Sequence, residues 1–192
     1  MKSETPNKSL TEIADRYRTL SKRFTALVGS VADDRWDRPS PCEDWKAKDV
    51  LTHVVTTEAE HLKRMNIDLP QPIEGLDPQA AWAIVRDRMQ QALDTPDEAE
   101  HAYDGFFGRT TLAASVDQFY SMDLVIHAWD LARAAGVKEF EEIPADEIDE
   151  VTAALAPLGD NMRQPGVFGP EVPVPADADA QTKLLAVVGR KA

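Results

Sequence analysis

The feature that most constrains this chain is the return of apolar residues every third or fourth position along four long segments, which is the period of one face of an α-helix. In the first, from about Ser9 to Val28, the stripe is Leu10, Ile13, Tyr17, Leu20, Phe24 and Leu27. Ser9 and Glu12 form an S-x-x-E capping box there, which gives partners to the first unpaired amides. The second predicted helix begins near Asp44, after the turn-rich PSPCED stretch, and carries Leu51, Val54, Val55, Leu62 and Met65 on one side. The third opens with Asp77 as N-cap and Pro78 at the first helical position, then shows Ala81, Val85, Met89 and Ala92. The fourth runs from about Thr111 to Ala135 and stops at Gly136, a C-cap glycine.

Beyond Gly136 the pattern weakens. Ile148, Val151, Leu155, Leu158 and Met162 suggest a fifth helix that Pro157 should kink or interrupt. Pro165, Pro170, Pro173 and Pro175 mark an extended segment, and Asp179 caps a short last helix through Leu184, Leu185 and Val188. No period-2 run is long enough for a sheet, apart from a short piece near Val172 to Val174. The expectation is an all-α four-helix bundle of about 9–136, carrying a C-terminal helix and a Pro-rich tail over about 143–190, in one domain of 1–192. The connection from Met65 to Asp77 is long enough to be a crossover.

Composition narrows the partners. Lys and Arg number 21 against 34 Asp and Glu, a formal charge of −13. A surface this acidic repels phosphate backbones and anionic headgroups, which argues against nucleic acid and membrane. Hydrophobic residues at 43% and charged residues at 29% are the balance of a soluble globular chain. MKSETPNKSL has no signal-peptide core, no stretch approaches a membrane span, and the single Cys42 makes no internal disulfide. The expected setting is the cytoplasm, and a homodimer is compatible with all of this.

Chemistry shows in the fourth segment, TLAASVDQFYSMDLVIHAWDLARAA. Projected as a helix, Leu112, Val116 and Phe119 share a face, and Asp123, His127 and Asp130 fall on that same face. A carboxylate on a buried stripe demands a partner, since an unpaired buried charge costs several kcal/mol or more. Asp123 and His127, four apart, stack one above the other and suit two groups converging on one ion; a core Asp–His hydrogen bond explains the pair equally. A third ligand would come from His53, His61 or His101. His101 follows the charged PDEAE run and reads as a solvated loop residue. His61, in AEHLKR, reads as surface. His53, in VLTHVV, is flanked by Val50 and Val54, although it lies away from the Leu51/Val55/Leu62 stripe.

Other residues carry weaker signals. Asp130 could accept a hydrogen bond from an imidazole, and an ion pair with Arg133 or Arg16 fits as well. Cys42 precedes a predicted helix start, where the dipole lowers a thiol pKa, but a small residue packing a turn is the simpler account. Trp36, Trp45 and Trp129 read as packing residues, one of which could wall a pocket. Arg109, in FFGRT, is a candidate anion contact.

The pieces RYRTLSKRF, DDRWDRPSPCEDW, VLTHVV and MDLVIHAWDLARAAG, with the tail PGVFGPEVPVPADADAQTKLLAVVGR, together resemble the DinB-like superfamily. Within it the resemblance is to the group related to the N-terminal domain of mycothiol-dependent maleylpyruvate isomerase, in its small metal-binding members. That resemblance implies a four-helix bundle with an open metal site, and carried over to this chain it implies His53, Asp123 and His127 as ligands. The metal would be zinc first, with nickel, iron or cobalt also suited to two imidazoles and a carboxylate. It further implies a low-molecular-weight thiol, mycothiol, activated for attack on a small electrophile in a transferase or isomerase reaction. The alternative is a metal- or small-ligand-binding protein without turnover. Two departures stand out: Asp123 is shorter than the Glu the isomerase uses, and Asp44 stands where relatives have Gly. The residues after Gly136 are too few and too Pro-rich to replace the isomerase's further domain, so activity on maleylpyruvate itself is not expected.

Overall fold

A computed structural model describes residues 8–105, 108–163 and 167–192. The first seven residues and Pro165 lie outside the described residues. The structure is mostly helical, as expected, with one small hairpin. It resolves into two compact units, Met1–Arg23 with Val55–Ser121 and Phe24–Val54 with Met122–Ala192. Long helices pass from one unit to the other, so each is described by the part it contributes.

The first unit holds the N-terminal part of α1 (Leu10–Ser30), the C-terminal part of α2 (Ala47–Arg64), and α3 (Pro78–Asp94) with the short α4 (Pro96–Ala99). The capping box forms reciprocally: Glu12 N donates to Ser9 Oγ at 3.3 Å, and Ser9 N donates to Glu12 Oε2 at 2.8 Å. Asp77 accepts from Gln79 N at 2.9 Å ahead of Pro78, and the face of α3 carrying Ala81, Trp82, Val85, Met89 and Ala92 is buried. A hairpin of β1 (Ala102–Gly105) and β2 (Gly108–Thr111) follows, pairing Ala102 with Thr111 and Gly105 with Gly108. The sequence gives no sign of it because AYDG and GRTT are too short and too polar to show alternation.

Thr111 then caps α5 (Leu112–Ser115) through Ala114 N. The predicted fourth helix is interrupted at once by a π-helical turn over Val116–Tyr120, before α6 (Ser121–Ala135) resumes. A π turn holds more residues than an α turn, so it shifts the phase of the helical turns after it. A single 100° projection through the whole segment therefore cannot hold. From Ser121 to Ala132 every residue except Asp123 is buried, not just one stripe.

The second unit contains the ends of α1 and α2 that the first does not, α6 from Met122, α7 (Ala145–Leu155) and α8 (Ala180–Val187). Helix α2 starts at Ala47 and not near Asp44, because Asp44 has φ +64, a left-handed conformation that ends any helix extension. That conformation is also the physical reason relatives would carry Gly there. Helix α6 ends at Gly136, φ +74, with Val137 N donating to Ala132 O at 2.9 Å. The predicted interruption at Pro157 is present: α7 ends at Leu155, and 3₁₀ turns over Ala156–Arg163 bend at Gly159. Residues 172–174 form no strand; Val172 N donates to Ala186 O in α8. Asp179 caps α8 through Thr182 N at 2.7 Å. Among the described residues no helix is long and apolar enough to cross a membrane.

Candidate metal centre

Near the start of α2, Val50, Leu51, Val54 and Val55, at 0–5% exposure, form one buried stripe, and Lys48, Thr52 and Thr56 on the other side are exposed. His53 stands at the edge of that stripe, and its side chain keeps 29% exposure. On α6, Asp123 keeps 27% and His127 only 8%. These three converge. His53 Nε2 lies 3.4 Å from Asp123 Oδ2, and His127 Nε2 lies 3.3 Å from Asp123 Oδ1. One ligand atom from each residue falls within 4.8 Å of the others. The imidazole centroids are 4.8 Å apart at 70°.

The loop before α2 supplies one wall. Ser40 N donates to Trp45 O at 2.8 Å, Trp45 N donates to Cys42 O at 3.1 Å, and Cys42 N donates to Ser40 Oγ at 3.1 Å. This tight turn, with Asp44 at its left-handed corner, sets the Trp45 ring 4.9 Å from His53 and 5.9 Å from His127. Trp45 is thus the tryptophan that borders the imidazoles. Trp129 is buried with Arg133 5.8 Å over its ring, and Trp36 is half-buried.

Behind His127 lies a fully buried carboxylate. His127 Nδ1 donates to Asp130 Oδ2 at 3.0 Å, because an ionised carboxylate can only accept. The partner of Asp130 is neither Arg133 nor Arg16 but Arg190, which donates from Nε to Oδ1 at 3.1 Å and from Nη2 to Oδ2 at 2.9 Å. Cys42 closes the group: its Sγ donates to Asp130 Oδ2 at 3.2 Å and accepts from Arg190 Nη2 at 3.1 Å. Burial works to raise the Asp130 pKa, and the hydrogen bonds from His127 and Arg190 outweigh it, so the carboxyl is held below its ordinary range. Asp123 is pulled down in the same way, with burial opposing and the two imidazoles prevailing. For His127 burial favours the neutral ring, but Asp123, Asp130 and Cys42 raise its pKa well above the ordinary value.

Arg190 is the residue that the sequence reading missed. It lies in a short tail after α8, and nothing in GRK signals a buried cation. The expected surface position of His61 also needs correction. Its ring is 1% exposed in the first unit, with Nε2 3.1 Å from Ser115 Oγ and the ring stacked on Tyr120 at 4.5 Å. Burial, with a smaller contribution from Arg64, pulls its pKa down to about 4. The polar neighbours in AEHLKR concealed that His61 continues the buried line of Val50, Val54 and Glu58. His101 is exposed, as expected, and Arg109 is 71% exposed with Asp104 beside it at 3.8 Å. Neither belongs to the centre.

The donor set can be tested against a metal. Ligands about 2.1 Å from a tetrahedral ion sit about 3.4 Å apart, and the two imidazole-to-carboxylate separations are of that size, each to a different oxygen of Asp123. His127 offers Nε2 while its Nδ1–H is fixed by a carboxylate, the usual support for a metal-ligating imidazole. A second trio, Cys42, His127 and Asp130, is as compact. Its carboxylate already accepts from a ring, a thiol and a guanidinium, and that buried cation would repel another. The residues therefore fit an ion at His53, Asp123 and His127.

With this geometry established, comparison with known proteins places the chain. Residues 17–132 match the family described as Mycothiol maleylpyruvate isomerase N-terminal domain, and the chain belongs to that family, within the DinB-like superfamily. It is 30% identical over 179 residues to Uncharacterized protein Rv0738 of Mycobacterium tuberculosis (strain ATCC 25618 / H37Rv), which covers 87% of this chain and 91% of the relative. The same values hold for Uncharacterized protein MT0763 of strain CDC 1551 / Oshkosh. No solved structure matches.

Proposed function

We propose that the protein binds one divalent cation, zinc first among candidates, through His53, Asp123 and His127, and uses it to activate a low-molecular-weight thiol toward a small electrophile. The observation that carries this reading is the convergence of two imidazole Nε2 atoms on one carboxylate, at 3.3 and 3.4 Å, with His127 oriented from behind by Asp130. A bound divalent cation with three protein ligands would keep an open position and lower the pKa of a thiol or water taken there. The chain's own residues supply the rest. Asp123 would offset part of the cation's charge, Asp130 keeps the His127 proton on Nδ1, and Trp45 borders both imidazole rings. Membership in a mycothiol-related family supports mycothiol as the thiol, and a cytoplasmic setting, where such thiols stay reduced, suits that chemistry. The same site without turnover would be a metal- or ligand-binding protein.

The test is a cobalt(II)-loaded sample. One equivalent should bind, and added mycothiol should produce a sulfur-to-cobalt charge-transfer band. If millimolar mycothiol, bacillithiol and glutathione all leave the spectrum unchanged, the thiol role fails and the binding-only reading replaces it.

Proton release gives a second expected result. Asp123, Asp130 and Cys42 raise the pKa of metal-free His127 and so favour protons on both ring nitrogens. The one on Nε2 must leave before that atom can bind a cation, so uptake should release protons. Affinity should weaken about tenfold per pH unit as pH falls below the His127 pKa. Calorimetry in buffers of different ionisation enthalpy measures this. Uptake with no proton released at pH 7 would show that the His127 ring is already neutral in the metal-free protein.

A further inference from the structure

We propose that Arg190 is a positioning residue for this centre: it clamps Asp130, and through Asp130 it fixes the His127 ring with Nε2 turned toward Asp123. This rests on the metal reading above and extends it to a segment of the chain that contributes no ligand.

The backbone after α8 delivers Arg190 to its place. Gly189 N donates to Ala186 O at 3.0 Å and Arg190 N donates to Leu185 O at 2.8 Å, the paired bonds of a Schellman cap. Gly189 has φ +80, and a Cβ there would meet the backbone of Gly169 and Pro170 at 3.2 Å. Two independent constraints thus require glycine, and the turn it makes directs the next side chain inward. Arg190 is only 8% exposed.

Its guanidinium makes four hydrogen bonds. Nε and Nη2 grip the two oxygens of Asp130 as a fork, Nη1 donates to Val188 O at 2.8 Å, and Nη2 also meets Cys42 Sγ. The fork fixes the plane of the carboxylate, which an ammonium on a flexible stem cannot do. Oδ2 is left aimed at His127 Nδ1, and the other ring nitrogen lies 3.3 Å from Asp123. A buried ion pair alone is weak evidence of anything beyond packing. Here the same carboxylate oxygen that Arg190 holds is the one that holds a candidate ligand.

Two measurements decide between positioning and mere packing. In metal-free protein, long-range ¹H–¹⁵N spectra report which ring nitrogen of His127 carries a hydrogen-bonded proton. Cobalt competition titrations report affinity. Arg190→Met should lose the Nδ1 hydrogen-bond signature and weaken cobalt binding about 10–100-fold, with one equivalent still taken up at saturation. Arg190→Lys, which keeps the charge but not the fork, should recover only part of that loss. Binding coupled to the tail is reciprocal, so cobalt should also slow hydrogen exchange at the Gly189 and Arg190 amides of the unaltered protein more than at Trp82 and Val85 in α3. This arm needs no variant to fold. Unaltered protein that binds cobalt, with Arg190→Met binding as tightly and the His127 signal unmoved, would overturn the role of Arg190 alone. Failure of the unaltered protein to take up cobalt would instead overturn the metal reading, and this role with it.

Discussion

Replacing His127 with Ala should abolish stoichiometric metal binding while leaving the helical content largely intact. His127 is the most buried of the three converging side chains, and its Nε2 cannot be replaced by any neighbour on α6, where Leu124, Val125, Ile126 and Ala128 are apolar. The substitution leaves one imidazole and one carboxylate, both partly open to water, which cannot hold a divalent ion firmly. His53→Ala should act in the same direction. Metal content of each purified variant after exposure to excess cation and desalting is the measurement. A full equivalent retained by either variant would mean that the ion, if any, sits elsewhere.

The second large effect is on stability. Asp130→Ala should destabilise the fold by about 3–5 kcal/mol, because it leaves the Arg190 guanidinium buried without its counter-charge. In a chain of this size that is on the order of 10 °C in Tm. Asp130→Asn keeps an oxygen acceptor and should cost less, but it removes the charge that holds both His127 and Arg190. The pH dependence separates the two effects. The folded-state pKa of Asp130 is lowered, so the stability it supplies is present above the unfolded value of about 3.9 and is lost as pH falls through the folded value. Denaturant melts of Asp130→Asn from pH 7 to pH 3 should lack that share of the acid loss. A variant as stable as the parent at pH 7, with the same acid profile, would show that Asp130 and Arg190 are not a coupled buried pair.

How much of this was legible without coordinates differs from residue to residue. The helices were, because caps and stripes are local: Ser9 with Glu12, Asp77 with Pro78, Gly136, and Asp179 all sit where their chemistry requires. The juxtaposition of Asp123 and His127 follows from a spacing of four within one helix. Bringing His53 to them is a tertiary event, and only the family resemblance separated it from His61. The polar neighbours of His61 hid that it continues the buried line of Val50, Val54 and Glu58, while His53 stands at the edge of that stripe. The π turn at Val116–Tyr120 was invisible, because VDQFY has the composition of ordinary helix. The link from Asp130 to Arg190 spans 60 residues and ends in a glycine turn, so no local pattern encodes it.

The most direct test of the central claim is X-ray absorption of the protein loaded with one equivalent of zinc and no added thiol. Ligation by His53, Asp123 and His127 gives nitrogen and oxygen scatterers at about 2.0–2.2 Å, with the outer-shell signature of two imidazoles and no sulfur. A sulfur scatterer at about 2.3 Å would place the ion at Cys42, His127 and Asp130 instead, and would contradict the assignment.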